Sequence, residues 1–115
     1  MEKWEIEYYE NARGERPVED FILGLPVDPR TKVYSVLDLM REFGVMVGAP
    51  HVKKLKGTGL WELRTSGEVA TRILYLAKSG KIFLLLHGFV KKTQKTPEKE
   101  MSIAMKRLVD YKLRH

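Results

Sequence analysis

The chain has 115 residues and no cysteine. That excludes disulfides, and it excludes zinc or iron–sulfur centres built on thiolates. It also has no apolar run near the roughly 18 residues that a membrane-spanning helix needs, so no membrane association is expected. The first ten residues hold four glutamates and no apolar stretch, unlike a secretory leader. The expected location is the cytoplasm. HExxH, GxSxG, Walker and GxGxxG patterns are all absent, as is any His–carboxylate spacing suited to a metal. No metal and no cofactor are expected. Repeats, low-complexity tracts and long linkers are missing too, which leaves one domain over residues 1–115.

What is present is globular in kind: 43% hydrophobic, 31% charged and 10% aromatic. The charge is unevenly placed. Residues 1–49 carry 6 Lys/Arg and 10 Asp/Glu, a net of −4, whereas residues 50–115 carry 15 and 5, a net of +10. A basic second half suits a polyanion, because Lys and Arg displace counterions from phosphates. It equally suits a solvated surface that keeps a small protein soluble.

Local patterns predict an α+β domain. Trp4, Ile6 and Tyr8 alternate with Glu5, Glu7 and Tyr9, the period of a half-buried strand. Asn11 to Gly14 is turn chemistry. Pro17 opens a helix whose apolar stripe is Val18, Phe21, Ile22 and Leu25. Pro26 stops it. Asp28 and Pro29 predict the cap and first turn of a second helix, which carries Val33, Val36, Leu37 and Met40 and ends at Gly44. Strands are expected over 60–65, 70–77 and 82–89, with turns at Ser66–Glu68 and Ser79–Gly80. The last is nearly all apolar, as for a strand covered on both faces. Thr96-Pro97-Glu98 predicts the cap of a final helix with a buried stripe of Met101, Ala104, Met105 and Leu108. The expected order is β-α-α-β-β-β-α.

Three groups of residues could carry chemistry. Arg64 and Arg72 lie on consecutive strands. Arg64 shares a face with Glu62, opposite Trp61 and Leu63, so both arginines are expected to point away from the core. They form either a fork for a phosphate or a wet surface pairing with Glu62 or Glu68. The stretch from His87 to Thr96 passes from an apolar strand into a basic loop. There Lys91, Lys92 and Lys95 could surround a phosphate. Thr93 and Gln94 could bond sugar or base, and Phe89 could offer a stacking face or belong to the core. His51 to Gly57 reads as a loop in which Lys53, Lys54 and Lys56 could track a nucleic-acid backbone or simply be solvated. His87, ending an apolar strand, reads as a buried, hydrogen-bonded histidine.

The blocks Leu60-Trp61-Glu62-Leu63-Arg64, Thr71-Arg72-Ile73-Leu74-Tyr75 and Leu86 to Pro97 resemble the RelE/HigB family of bacterial toxins, nearest its phage-related HigB-like branch. The resemblance covers most of the chain. It implies a RelE-like fold: a small curved, mainly antiparallel sheet with an N-terminal helical hairpin and a C-terminal helix. It implies a ribosome-dependent mRNA endoribonuclease of a type II toxin–antitoxin system, partnered by a HigA-type helix-turn-helix antitoxin. It also implies that Arg64, Arg72 and Lys91 or Lys92 fill the family's basic catalytic positions. Many RelE-branch members have a basic residue where Glu62 stands, so either Glu62 takes a different role, such as general base, or the chemistry differs in detail. Tyr111 and His115 lie near the C-terminus, where some relatives place a catalytic Tyr or His. The alternative is a non-catalytic phage or accessory protein that binds nucleic acid or a partner protein through the same basic face.

Overall fold

The computed structural model describes residues 3–115. In chain order the elements are β1 (Glu5–Tyr8), α1 (Pro17–Leu23), α2 (Val27–Phe43), a single 3₁₀ turn (Gly44–Met46), β2 (Val52–Lys54), β3 (Trp61–Arg64), β4 (Thr71–Lys78), β5 (Ile82–Val90) and α3 (Glu98–Arg114). The five strands form one sheet in the order β1-β5-β4-β3-β2. Only β1 runs parallel to its neighbour, β5; the other three pairings are antiparallel. This is an α+β fold of the expected kind with one strand more than expected.

That strand is β2, where a loop was expected over His51–Gly57. Val52 pairs with Leu63, Lys53 with Glu62 and Lys54 with Trp61. Two charged residues in three gave no strand pattern; the free edge of β3 supplies the hydrogen bonds. The pairing also separates the lysines. Lys53 lies on the face of Glu62, and Lys54 lies on the opposite face, its ammonium 5.9 Å from the centre of the Trp61 ring.

Both faces of the sheet are covered. The α1–α2 hairpin buries Val18, Ile22, Val33, Leu37 and Met40 against Leu63, Ile73, Tyr75, Phe83 and Leu85. On the other side α3 buries Ala104, Leu108 and Tyr111 against Leu74, Leu84, Leu86 and Phe89. The face of Glu62 and Arg72 is therefore not an open surface, and the expectation that both arginines point away from the core is corrected: that face has a core of its own.

Local details position the site. Pro17 opens α1 as expected, but α2 begins at Val27 behind Pro26, and Asp28 lies in its first turn rather than at its cap. Gly44 closes α2 with φ +60°, its N–H donating to the Met40 carbonyl. The Trp4 indole lies against it and stacks on Phe83 at 4.4 Å. A side chain at position 44 would meet that indole, so glycine is required there twice over, by conformation and by space. Along β4–β5, Leu74 pairs with His87 but Tyr75 pairs with Leu85, so Leu86 is an extra residue. This bulge lets Leu86 join the core beneath α3 while His87 also bonds to α3.

Candidate functional site

Arg64 and Arg72 stand directly opposite each other in the β3–β4 ladder. Residues so paired present their side chains on one face, and like charges there repel unless something lies between them. Glu62 is that group. It is 4% exposed, and its Oε1 is 3.6 Å from Arg64 Nε and 3.7 Å from Arg72 Nε. Its other oxygen, Oε2, accepts a hydrogen bond of 2.7 Å from the Thr96 hydroxyl. Thr96 was expected to cap α3. Pro97 occupies the cap position, and the Thr96 side chain turns back to β3 instead.

The two arginines differ in kind. Arg72 is 6% exposed, and its Nη1 donates to the carbonyls of Thr65 (2.8 Å) and Thr71 (2.7 Å). Burial, and then the charge of Arg64, push its pKa below the usual arginine value, while Glu62 opposes the shift. Arg72 is a strut that ties the β3–β4 turn together. The Arg64 side chain is 31% exposed, and its Nε is buried without any hydrogen-bond partner. Buried donors are rarely left unpaired. Arg64 is the more exposed of the two guanidinium side chains.

The lysine-rich loop forms the roof. The Lys91 N–H donates to the Ala70 carbonyl at 2.8 Å, which holds the end of β5 beside the start of β4. The Thr93 hydroxyl donates to the Lys95 carbonyl at 2.7 Å, bending the loop back on itself. Between this anchor and the Thr96–Glu62 bond, residues 91–96 arch over a narrow cleft floored by Glu62, Arg72 and Phe89. Lys92, Thr93, Gln94 and Lys95 are exposed on it, and Lys91 is half-buried. Phe89 belongs to the core beneath α3 and stacks on His87, so only its edge reaches the cleft. Lys53 projects from the same face, directly across from Glu62, and Lys56 is exposed in the turn after β2. Lys54, on the hairpin side, is not part of this cluster.

His87 supports the site from α3. Arg107 Nη1 donates to the Leu86 carbonyl at 2.9 Å and to His87 Nδ1 at 3.2 Å. Guanidinium has no lone pair to offer, so Nδ1 is the acceptor and the proton sits on Nε2, donated to Glu100 at 2.8 Å. Burial is the main cause holding the His87 pKa below its ordinary value, the Glu100 bond opposing it.

Tyr111 and His115 are elsewhere. Tyr111 contacts Lys78 and Glu7, its hydroxyl donating 2.9 Å to Glu7 Oε2. His115 stacks on its ring at 4.2 Å. Lys78 is the last residue of β4 and Arg72 the second, six residues apart and so roughly 20 Å at the rise of a strand. Tyr111 ties the C-terminal end of α3 to β1 and β4, and neither it nor His115 lines the cleft. Among the described residues no group of three His, Asp or Glu side chains is gathered as for a metal ion, and no helix is long and apolar enough to cross a membrane.

The fold is a small mixed sheet with helices on both faces, and a lysine-rich cleft lies where β3, β4 and the β5–α3 loop meet. Residues 20–109 match the model of the phage-derived Gp49-like proteins, and the chain belongs to that family. The family falls within the RelE/ParE-like toxin superfamily. The match runs from α1 into α3 and so includes the whole cleft. No curated protein matches the chain.

Proposed function

We propose that this protein is the toxin of a type II toxin–antitoxin pair, of the RelE/HigB kind, and that it cleaves mRNA on the ribosome. The observation that carries the reading is the Arg64–Glu62–Arg72 row, whose Glu62 and Arg72 line a cleft under a loop of three lysines. RNA brings its own nucleophile. Attack by the 2′-OH on the adjacent phosphorus forms the cyclic phosphate and expels the 5′-oxygen, which takes up a proton. Charge on the phosphate oxygens rises on the way. Fixed cations placed where that charge develops lower the barrier, often as the largest single contribution. Arg64 would contact the phosphate, and Lys91 and Lys92 would flank it. Arg72 and Glu62 would act as positioning residues that hold Arg64 and the loop in place. Glu62 is sequestered by Thr96 and two arginines, which argues against the free general base expected from its position in the sequence.

The partner of this reading is a helix-turn-helix antitoxin of the HigA type, whose acidic segment would cover the basic face. Purified protein added to ribosomes programmed with mRNA should produce fragments ending in a 2′,3′-cyclic phosphate, with a 5′-OH on the downstream piece. Intact mRNA after incubation with folded protein would sink the nuclease reading and favour the non-catalytic alternative, binding through the same face.

A further inference from the structure

We propose that the outward face of α3 docks an amphipathic helix of a partner protein, one whose apolar row is flanked by carboxylates. The surface includes none of the residues that line the cleft, so the proposal does not rest on the nuclease reading.

The fold leaves part of α3 unused. The helix covers the sheet with Ala104, Leu108 and Tyr111. Met105, Val109 and Leu113 fall on its other side and are 37%, 55% and 81% exposed. Their spacing of four and four makes one row down the helix, roughly 12 Å long at the rise of 1.5 Å per residue. Single exposed apolar residues need no account, but a contiguous row marks a surface that something covers. Local preference does not explain it either. Val109 is β-branched, which lowers helix propensity, and at an exposed position no packing offsets that cost.

Charge names the occupant. At 3.6 residues per turn, Lys99 and Lys106 lie on one flank of the row and Lys112 on the other. All three are exposed, and among the described residues none of them is in an ion pair. The carboxylates of α3 are engaged elsewhere: Glu100 accepts from His87, and Asp110 accepts from Tyr9 and Arg114. Glu98 alone among them is exposed, in the first turn and ahead of the row. The face is therefore an apolar row between ammonium groups. Its complement is an apolar row between carboxylates, which a helix presents at the same three-and-four spacing. Charges along the flanks then set register and exclude wrong partners.

Other occupants fit less well. A second copy would set lysine flanks against lysine flanks in either orientation; in an antiparallel pair centred on Val109, Lys106 would oppose Lys112. A nucleic acid would use the lysines and leave the row in water. An anionic membrane would use both, but the row has three side chains and no aromatic ring to seat at the interface.

The test is an amide-shift titration of the whole chain with a synthetic peptide carrying leucines at three-and-four spacing between glutamates. A control peptide keeps the glutamates and has serine for each leucine. The expected result is shifts concentrated at residues 102–113, with the peptide gaining helical dichroism and the control binding about tenfold more weakly or worse. Val109→Glu should weaken the leucine peptide by about tenfold or more. Val109→Ala should weaken it less while keeping or raising the thermal midpoint, since alanine is the better helix former. Equal binding of the two peptides would reduce the contact to charge, and shifts confined to Lys53 and residues 91–96 would move it to the cleft; either overturns the proposal. So would dimerisation of the chain that Val109→Glu abolishes. Binding to vesicles of phosphatidylcholine and phosphatidylglycerol that depends on Val109, with no peptide-induced shifts on α3, would overturn it in favour of a membrane. No RNA enters the titration, so its failure and that of the nuclease reading are separate results.

Discussion

Removing the Arg72 guanidinium would strip the Thr65 and Thr71 carbonyls of their donor and leave Glu62 with one cation fewer in a buried setting. Breaking a buried pair from one side costs about 3–5 kcal/mol. Arg72→Ala is therefore expected to lower stability by about 3 kcal/mol or more, measured by urea denaturation. Arg64 is partly exposed and holds up no backbone group, so Arg64→Ala should cost about 1 kcal/mol or less. The same variant should reduce single-turnover cleavage on programmed ribosomes by roughly 10²–10³-fold, the scale for one preorganised donor. Equal stability losses in the two variants would refute the division into strut and contact. The sequence showed both arginines and the acid between Trp61 and Leu63. It could not show that Glu62 is buried, because the hydroxyl that sequesters it comes from Thr96, 34 residues away.

At the level of elements, β5 and α3 are joined through a histidine whose neutral form is specified by its neighbours. Arg107 addresses Nδ1 and Glu100 accepts from Nε2. A second proton would have to sit on Nδ1, facing a guanidinium. The folded pKa lies below the unfolded value of 6.5, so the unfolded chain binds more protons at acid pH. The stabilisation is complete above about pH 6.5 and is lost as pH falls through the lower folded pKa. Midpoints of thermal unfolding should accordingly fall between about pH 7 and 5. His87→Gln should flatten that part of the profile, and an unchanged slope in the variant would contradict this account. The strand and helix patterns were legible because their apolar periods matched their elements. The exceptions are instructive. β2 was hidden because Lys53 and Lys54 take their hydrogen bonds from a partner rather than from propensity. The α3 stripe was visible in Met101, Ala104 and Leu108, although Met105, expected in it, is exposed and Tyr111 takes part instead; the sheet face it covers was not visible, since that depends on how the β5–α3 loop turns.

For the molecule as a whole, charge and topology combine. The acidic first half supplies β1 and the hairpin, and the basic second half supplies β2 to β5 and α3. Attraction to ribosomal RNA should weaken steeply with salt, as counterion release requires. Lys91→Ala, Lys95→Ala and Lys53→Ala should each reduce the magnitude of the log–log salt slope by about 1. Lys54→Ala removes the same charge from the hairpin side and should leave the slope nearly unchanged. A filter-binding series over salt concentration distinguishes them, and identical slopes for all four would mean that the cleft does not direct binding. The charge asymmetry was legible from composition. The separation of Lys53 from Lys54 was not, because it follows from register.

The outer rails of the sheet are short: three residues in β2 and four in β1. An unpaired rail invites strand addition from another chain, and natural sheets guard against it with brevity and lysine. A second copy docking antiparallel along β2 would find three residues to pair with and would bring its own Lys53 and Lys54 against those already there. Polymerisation through that rail is opposed by charge as well as by length. The strand that broke the expected pattern is thus also what keeps the sheet from growing.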